Sequence, residues 1–208
     1  MKPPAFEYVA PATLDEAVVA LADDDAMVLA GGQSLVPMLN FRLLAPTRLV
    51  DITRIADLDY IKDWNGGLRI GALVRHHTLE TSPLVKERFP VLHAAMRLVA
   101  HLAIRNRGTI GGSVAHADPG ADLPVTLTAL EASFILASST GERIVPADDF
   151  FMDFFTTAMK PHEILTAVQI PIPPSSTRTS YLKLPHPASG YVVVSAAATL
   201  SVDESGTC

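Results

Sequence analysis

The sequence predicts an α+β fold with two units, a small α/β unit and a larger unit whose mixed sheet is largely antiparallel. Helical and strand patterns alternate over roughly the first 50 residues, which is typical of a parallel sheet with helices packed against it. Short strands joined by local hairpins follow, which favours an antiparallel sheet. The chain of 208 residues is 49% hydrophobic and 18% charged, as expected for a globular protein.

The first unit begins with a helix start signal. Thr13 and Glu16 have the spacing of a capping box, and apolar residues follow at helical spacing. A strand at 27–30, two glycines, a short helix from about Ser34 and a strand at 48–52 come next. This order of elements predicts the α/β unit.

The second unit has more strands and local connections. The sequence predicts a strand at 68–72, a helix from Pro90 to Leu102, a hairpin over 133–145 and an alternating strand at 163–170. The stretch 171–180, rich in proline and serine, is the predicted linker to whatever follows. The final strand pattern, "YVVVSAAATL", runs into a turn at Glu204, and we expect a partner strand beyond it in a longer protein.

Charge and cysteine usage exclude several classes of function. The net charge is −6 and no basic block is present, which argues against nucleic acid as a partner. The single cysteine, Cys208, supports no disulfide framework, thiolate zinc site or iron–sulfur cluster within this chain. Neither a signal peptide nor an apolar run of about 18 residues is present, so we predict a cytoplasmic protein without a membrane span.

Two similar glycine motifs carry the functional signal. Gly31-Gly32 is followed by Gln33-Ser34, and Gly111-Gly112 is followed by Ser113. Glycine lets main-chain amides approach a ligand closely, and successive exposed amides form a cradle for an anion. Two cradles match the two phosphates of a pyrophosphate. The alternative is that both motifs are tight turns at which backbone segments pack closely.

Known phosphate-binding fingerprints do not describe these motifs. Neither is the G-x-G-x-x-G pattern of a Rossmann fold, and neither has the Lys-Ser/Thr pair of a P-loop. The seven histidines lack metal-ligand spacing, and no hydrolase motif surrounds the serines. We therefore expect a dinucleotide held by another fold, with no metal site and no catalytic side chain.

Two stretches resemble a known family. "LAGGQSLVPMLNFRLLAPTRLVDITRI" and "RNRGTIGGSVAHADPGADLPVTLTAL" are similar to the FAD-binding medium subunit of the molybdenum hydroxylases, the carbon monoxide dehydrogenase and xanthine dehydrogenase family. The resemblance implies the two-subdomain FAD-binding fold of the vanillyl-alcohol-oxidase type. It places FAD-binding subdomain 1 at 1–54, subdomain 2 at 55–176, and the beginning of a truncated C-terminal domain at 177–208.

The resemblance also implies the cofactor site. Both glycine loops would wrap the FAD pyrophosphate by main-chain amides, Asp122 and Lys183 would be polar partners, Leu165 would contact the flavin ring, and Tyr191 would cover it. His116 is expected either to touch FAD or to hold the second turn. The implied cofactor-binding residues are Val28, Leu29, Ala30, Gly31, Gly32, Gln33, Ser34, Leu35, Thr109, Ile110, Gly111, Gly112, Ser113, Asp122, Leu165, Lys183 and Tyr191.

The function implied by the resemblance is electron transfer. Such a subunit is an oxidoreductase component that passes electrons from iron–sulfur clusters of a partner through FAD to a final acceptor. Its expected partners are a small iron–sulfur subunit and a large molybdopterin subunit, which fits a chain with one cysteine. Two alternatives remain open: a flavin reductase of the same fold that acts directly on a substrate, and a non-catalytic assembly module.

Overall fold

The computed structural model describes residues 2–23, 25–188, 190–203 and 205–207. The first unit contains a three-stranded parallel sheet in the order β1-β3-β2. The predicted capping box at Thr13 and Glu16 is present and starts the first helix. The elements of this unit are β1 (Glu7–Val9), α1 (Leu14–Ala20), β2 (Ala26–Leu29), α2 (Leu35–Asn40) and β3 (Arg48–Asp51).

The second unit is built on a five-stranded antiparallel sheet in the order β4-β5-β10-β6-β7, preceded by a short 3-10 helix at Ala56–Leu58. Its elements are β4 (Ile61–Trp64), β5 (Gly67–Gly71), α3 (His76–Thr81), α4 (Pro83–Arg88), α5 (Pro90–Leu98), α6 (Leu102–Arg105), α7 (Ile110–His116), α8 (Asp122–Ala129), β6 (Ser133–Ser138), β7 (Gly141–Pro146), α9 (Ala147–Phe150), β8 (Phe151–Asp153), β9 (Thr156–Thr157) and β10 (Ile164–Ile170). The predicted α+β class is therefore confirmed.

A two-stranded sheet ends the described chain. Its strands, β11 (Thr177–Pro185) and β12 (Val192–Ser201), pair antiparallel along their length. The last strand therefore has a partner that precedes it in the chain, and the partner expected beyond it stays a prediction. The turn residue Glu204 and the terminal Cys208 lie outside the described residues.

The central strand β10 joins the hydrophobic cores of the two units. Every residue of β10 is buried, so the alternation predicted for 163–170 is wrong. The strand has neighbours on both edges and is covered on both faces. Ile164 packs with Val18 and Val50 of the first unit, whereas Leu165 and Val168 pack in the core of the second.

The helix predicted from Pro90 to Leu102 is interrupted. Helix α5 ends at Leu98, and α6 begins at Leu102. Between them Ala100 has a φ of +39°, which a residue with a side chain rarely adopts. Within the described residues, no helix combines the length and apolar character required to cross a bilayer.

Candidate functional site

A cleft of about 860 Å³ is lined by residues of both units and of the C-terminal hairpin. This volume lies in the upper part of the range of roughly 300–1,000 Å³ that is usual for ligand and cofactor sites. Both glycine motifs line the same cleft. They are adjacent, because a Cβ added to Gly31 would lie 2.3 Å from the carbonyl oxygen of Arg107 and 2.8 Å from the Cα of Gly108.

Most of the implied cofactor-binding residues line this cleft, and two do not. Leu29 is not among the residues that line the cleft, although its chain neighbours Val28 and Ala30 are. Ile110 is fully buried in the core of the second unit, and its amide donates to Val74. The assignment of these two residues to the cofactor stays a prediction.

The first glycine motif presents unused main-chain donors. Gly32 has a φ of +71°, a conformation in which glycine is favoured. Within the part of the chain that the structure describes, the amides of Gly31, Gly32, Gln33, Ser34 and Leu35 donate to no other protein group. The Ser34 hydroxyl makes no capping hydrogen bond to α2. A run of free amides beside a positive-φ glycine is suited to an anion.

The second glycine motif has no such run. The amide of Gly111 donates to the carbonyl of Ala72, and that of Gly112 donates to the hydroxyl of Thr109, which caps α7. The amide of Ser113 donates to the Thr109 carbonyl within the helix. The sequence led us to expect equivalent amide cradles at both motifs, and the structure shows that they differ. At the second motif, Gly112 and the Ser113 side chain face the cleft instead.

His76 holds the second motif in place through a hydrogen bond to its backbone. Its Nε2 lies 3.0 Å from the carbonyl oxygen of Thr109, which accepts a hydrogen bond and so fixes the proton on Nε2. Burial lowers the pKa of His76 to about 4, against an ordinary value of 6.5. Its Nδ1 is buried, without a hydrogen-bond partner among the described residues, and faces Gly108. The imidazole is therefore neutral and holds the backbone of this motif in place.

A buried ion pair forms another part of the lining of the cleft. Lys183 Nζ lies 3.0 Å from Asp122 Oδ1, and the two side chains are only 3% and 5% exposed. The Tyr181 hydroxyl donates to the same carboxylate at 2.5 Å. Burial and this hydrogen bond raise the pKa of Tyr181 above its ordinary value. The network attaches β11 to the start of α8 and places a paired ammonium group at the cleft.

Tyr191 lies at the mouth of the cleft. Its hydroxyl donates to Asp118 Oδ2 at 2.5 Å, and this hydrogen bond, together with burial, raises the pKa of Tyr191 to about 12. The ring covers Gly120, where a Cβ would lie 2.9 Å from Tyr191 Cε1. His116 lines the same region, and its ring makes a tilted contact with that of Phe155, with 5.2 Å between the ring centroids. This position is compatible with both roles considered for His116.

The sequence did not indicate several lining residues. Val99, Ala100 and His101 line the wall where α5 ends, and Met38 and Leu44 line the region beyond the first motif. The apolar residues that follow the first glycine motif in the sequence could have indicated Met38 and Leu44. Nothing local marked the bend at Ala100. Among the described residues, no group of three or more histidine, cysteine, aspartate or glutamate side chains could hold a metal ion.

The cleft fits a long anionic cofactor that also has apolar parts. Its lining combines the free amides of the first glycine motif with apolar side chains that include Met38, Leu44, Val99 and Leu165. A site with these properties defines a dinucleotide-binding protein of a non-Rossmann class.

A family comparison identifies the class further. The family described as the FAD binding domain in molybdopterin dehydrogenase matches residues 4–173, and the chain belongs to this family. The family resemblance found in the sequence, with FAD as its cofactor, is therefore confirmed.

Similar proteins agree with this assignment. The chain is 42% identical to the 6-hydroxypseudooxynicotine dehydrogenase complex subunit alpha of Paenarthrobacter nicotinovorans, over 100% of this chain and 71% of that protein. It is 41% identical to the glyceraldehyde dehydrogenase medium chain of Sulfolobus acidocaldarius, over 97% of this chain and 72% of that protein. A structure of carbon monoxide dehydrogenase from Hydrogenophaga pseudoflava matches with a TM-score of 0.93 and 40% identity, over 96% of this chain and 70% of that chain.

Proposed function

We propose that the chain is the flavoprotein component of a molybdenum-containing dehydrogenase and that it relays electrons through FAD held in the cleft. When bound, FAD supplies the redox chemistry, while the protein supplies binding, orientation and polarity. The two alternatives, a directly acting flavin reductase and an assembly module, are not favoured, because the relatives are named as dehydrogenase subunits.

The run of unused amides at Gly31–Leu35 is the observation that carries the proposal. Five consecutive main-chain donors without an acceptor among the described residues lie in a cleft large enough for a dinucleotide. Donors left free on the wall of a cleft are available to a ligand with acceptor atoms. A pyrophosphate provides such acceptors and the negative charge that a main-chain cradle favours.

The other polar residues of the cleft have distinct roles in this proposal. Ser34 and Ser113 add hydroxyl donors, and Lys183 brings a positive charge that Asp122 partly balances. Leu165 provides an apolar surface, and Tyr191 closes the mouth of the cleft. The division into subdomains at 1–54 and 55–176, with a further domain from 177, belongs to the same proposal.

The proposed partners are a small iron–sulfur subunit and a large molybdopterin subunit in one complex. Electrons would enter the cleft from the former and leave to a final acceptor. The single cysteine of these 208 residues cannot ligate the clusters, which supports the proposal that a partner subunit carries them. A cytoplasmic location is part of the proposal, and cell fractionation tests it.

The experiment measures FAD in the complex isolated through a tag on this chain. We expect flavin absorption and about one FAD per chain released on denaturation. Gly32→Ala should lower this content, because a Cβ strains the φ of +71° and approaches Val36 to 3.1 Å. The matched control is Gly66→Ala, with a φ of +83° at the turn between β4 and β5, outside the residues that line the cleft. A colourless complex, or equal FAD loss in both variants, would refute the proposal.

A further inference from the structure

The bend between α5 and α6 is held by cations at three consecutive carbonyl groups. The carbonyl of Leu98 accepts a hydrogen bond from Lys183 Nζ at 3.0 Å. The carbonyls of Val99 and Ala100 both accept from Arg105 Nη1, at 2.8 Å and 3.1 Å. Two side chains from different parts of the sequence therefore bind one short run of backbone.

Each cation is itself fixed by a carboxylate. Arg105 forms a forked pair with Glu80, through Nε at 2.8 Å and Nη2 at 3.4 Å, and these side chains are 12% and 19% exposed. Burial alone would raise the pKa of Glu80, but hydrogen bonds from Arg105 and His77 outweigh it and lower the pKa. Lys183 is paired with Asp122 in the same way. Forked pairs of this kind fix the orientation of a guanidinium group.

The clamped bend is a wall of the cleft. Val99, Ala100 and His101 all line the cleft, and Ala100 has a φ of +39°. A residue other than glycine in this conformation is strained, and such a conformation persists when its surroundings hold it. Arg105 does not line the cleft, so it acts through the backbone that it binds.

We propose that Arg105, oriented by Glu80, is a positioning residue that sets the shape of this wall and thereby the affinity and orientation of the cofactor. The inference rests on the proposed function, since it assumes that the cleft holds FAD. Lys183 acts at the same bend but also reaches the cleft itself, so its replacement would mix two effects. Arg105 is the residue at which the positioning effect can be isolated.

The test replaces Arg105 in the tagged complex and measures two properties of added FAD, its dissociation constant and the visible circular dichroism of the bound flavin. We expect Arg105→Met to weaken binding about tenfold, the effect of losing hydrogen bonds to a charged group, and to change the dichroism spectrum. Arg105→Lys should recover part of the affinity, since an ammonium can replace one contact but not the fork.

The matched control is Arg88→Met. Arg88 forms an ion pair with Asp63 on the surface, with 30% and 69% exposure, and neither residue lines the cleft. This variant should retain both the wild-type affinity and the wild-type dichroism. Dichroism is the discriminating property, because a uniform loss of stability would not alter the spectrum of the flavin that remains bound.

The outcomes separate this inference from the proposed function. A wild-type complex that binds no FAD contradicts the proposed function. A wild-type complex that binds FAD, with Arg105→Met equal to it in affinity and dichroism, overturns the role of Arg105 alone. Should Arg105→Met fail to fold, Glu80→Gln decides, because it loosens the fork without removing the guanidinium. We expect the same spectral change with a smaller loss of affinity, and no change in either property would overturn the inference.

Discussion

The two glycine motifs have nearly the same letters and different physical roles. In both, the first glycine is required by close packing: a Cβ would lie 2.3 Å from the Arg107 oxygen at Gly31 and 2.5 Å from the Ala72 Cβ at Gly111. The motifs differ in their amides, which are free at Gly31–Leu35 but bonded at 110–113. Backbone packing, one of the two interpretations offered for the sequence, explains the first glycines. The other, an anion cradle, stays a prediction and is supported by free amides at one motif alone.

Backbone conformation explains the difference. The positive φ of Gly32 keeps the first motif out of a helix until Leu35, so its amides have no carbonyl one turn earlier. The second motif lies inside α7, and Thr109 caps the first turn of this helix. The amide of Gly111 donates to the carbonyl of Ala72, the residue that follows β5. Adjacent glycines identify a close backbone approach, and only the surrounding bonds decide whether amides remain for a ligand.

The largest expected effect tests the shared role of the first glycines. Gly31→Ala and Gly111→Ala should each lower the free energy of unfolding by about 3 kcal/mol, because the backbone beside the added Cβ would have to shift to make room for it. Urea unfolding measures this. The reference variant, Gly141→Ala, has nothing within 4 Å of the added Cβ, so its cost measures the strain of a φ of +115° without overpacking. A mild effect at Gly31 or Gly111 would show that backbone packing does not require glycine there.

A pH titration of stability separates the motifs, because only the second is anchored by a buried imidazole. The pKa of His76 is about 4 in the folded chain and ordinarily 6.5. As the pH falls from 6.5 towards 4, the unfolded chain takes up a proton that the folded chain refuses. The free energy of unfolding should therefore keep its full value above pH 6.5 and fall by about 3 kcal/mol between pH 6.5 and pH 4.

The variant His76→Gln checks the source of this slope. Urea unfolding at several pH values should give a slope between pH 6.5 and 4 that is smaller than in the wild type. His93→Gln, on α5, is the matched control for the loss of an imidazole. An unchanged slope in His76→Gln would assign the acid sensitivity to other groups.

The smallest expected effects distinguish two hydroxyl residues, because one should contribute to stability and the other to FAD binding. Thr109 caps α7 through the Gly112 amide, so Thr109→Ala should lower the free energy of unfolding by about 1 kcal/mol. Ser34 makes no capping bond, so Ser34→Ala should leave stability unchanged and weaken FAD binding about fivefold. Calorimetry of unfolding and FAD titration measure the two effects. Loss of stability in Ser34→Ala with unchanged FAD binding would reverse the comparison.

Local patterns predicted much of the fold. The capping box at Thr13, the hairpin of β6 and β7 and the α/β order of the first unit depend on neighbouring residues, and the structure contains all of them. The bend at Ala100 is bound by Arg105, five residues away, and the adjoining carbonyl of Leu98 is bound by Lys183, which is 85 residues away and could not be identified from local sequence.

Most of the residues predicted for the site line the cleft, but the hydrogen bonding of the second motif differs from the expectation. Leu29 and Ile110 are the two predicted residues that are not among those lining the cleft. The amides of Ile110 and Gly111 donate to Val74 and Ala72, which are far away in sequence, so these acceptors follow only from the folded arrangement.

Hydrogen–deuterium exchange with and without FAD tests the central claim most directly. The measurement uses the isolated complex, stripped of flavin and then reloaded, with residues 31–35 and 110–113 resolved by mass spectrometry. Free amides exchange rapidly and bonded ones slowly. We predict that FAD strongly slows exchange at 31–35 and changes 110–113 little, because those amides are already bonded. Slow exchange at 31–35 without FAD, or protection gained mainly at 110–113, would contradict the account.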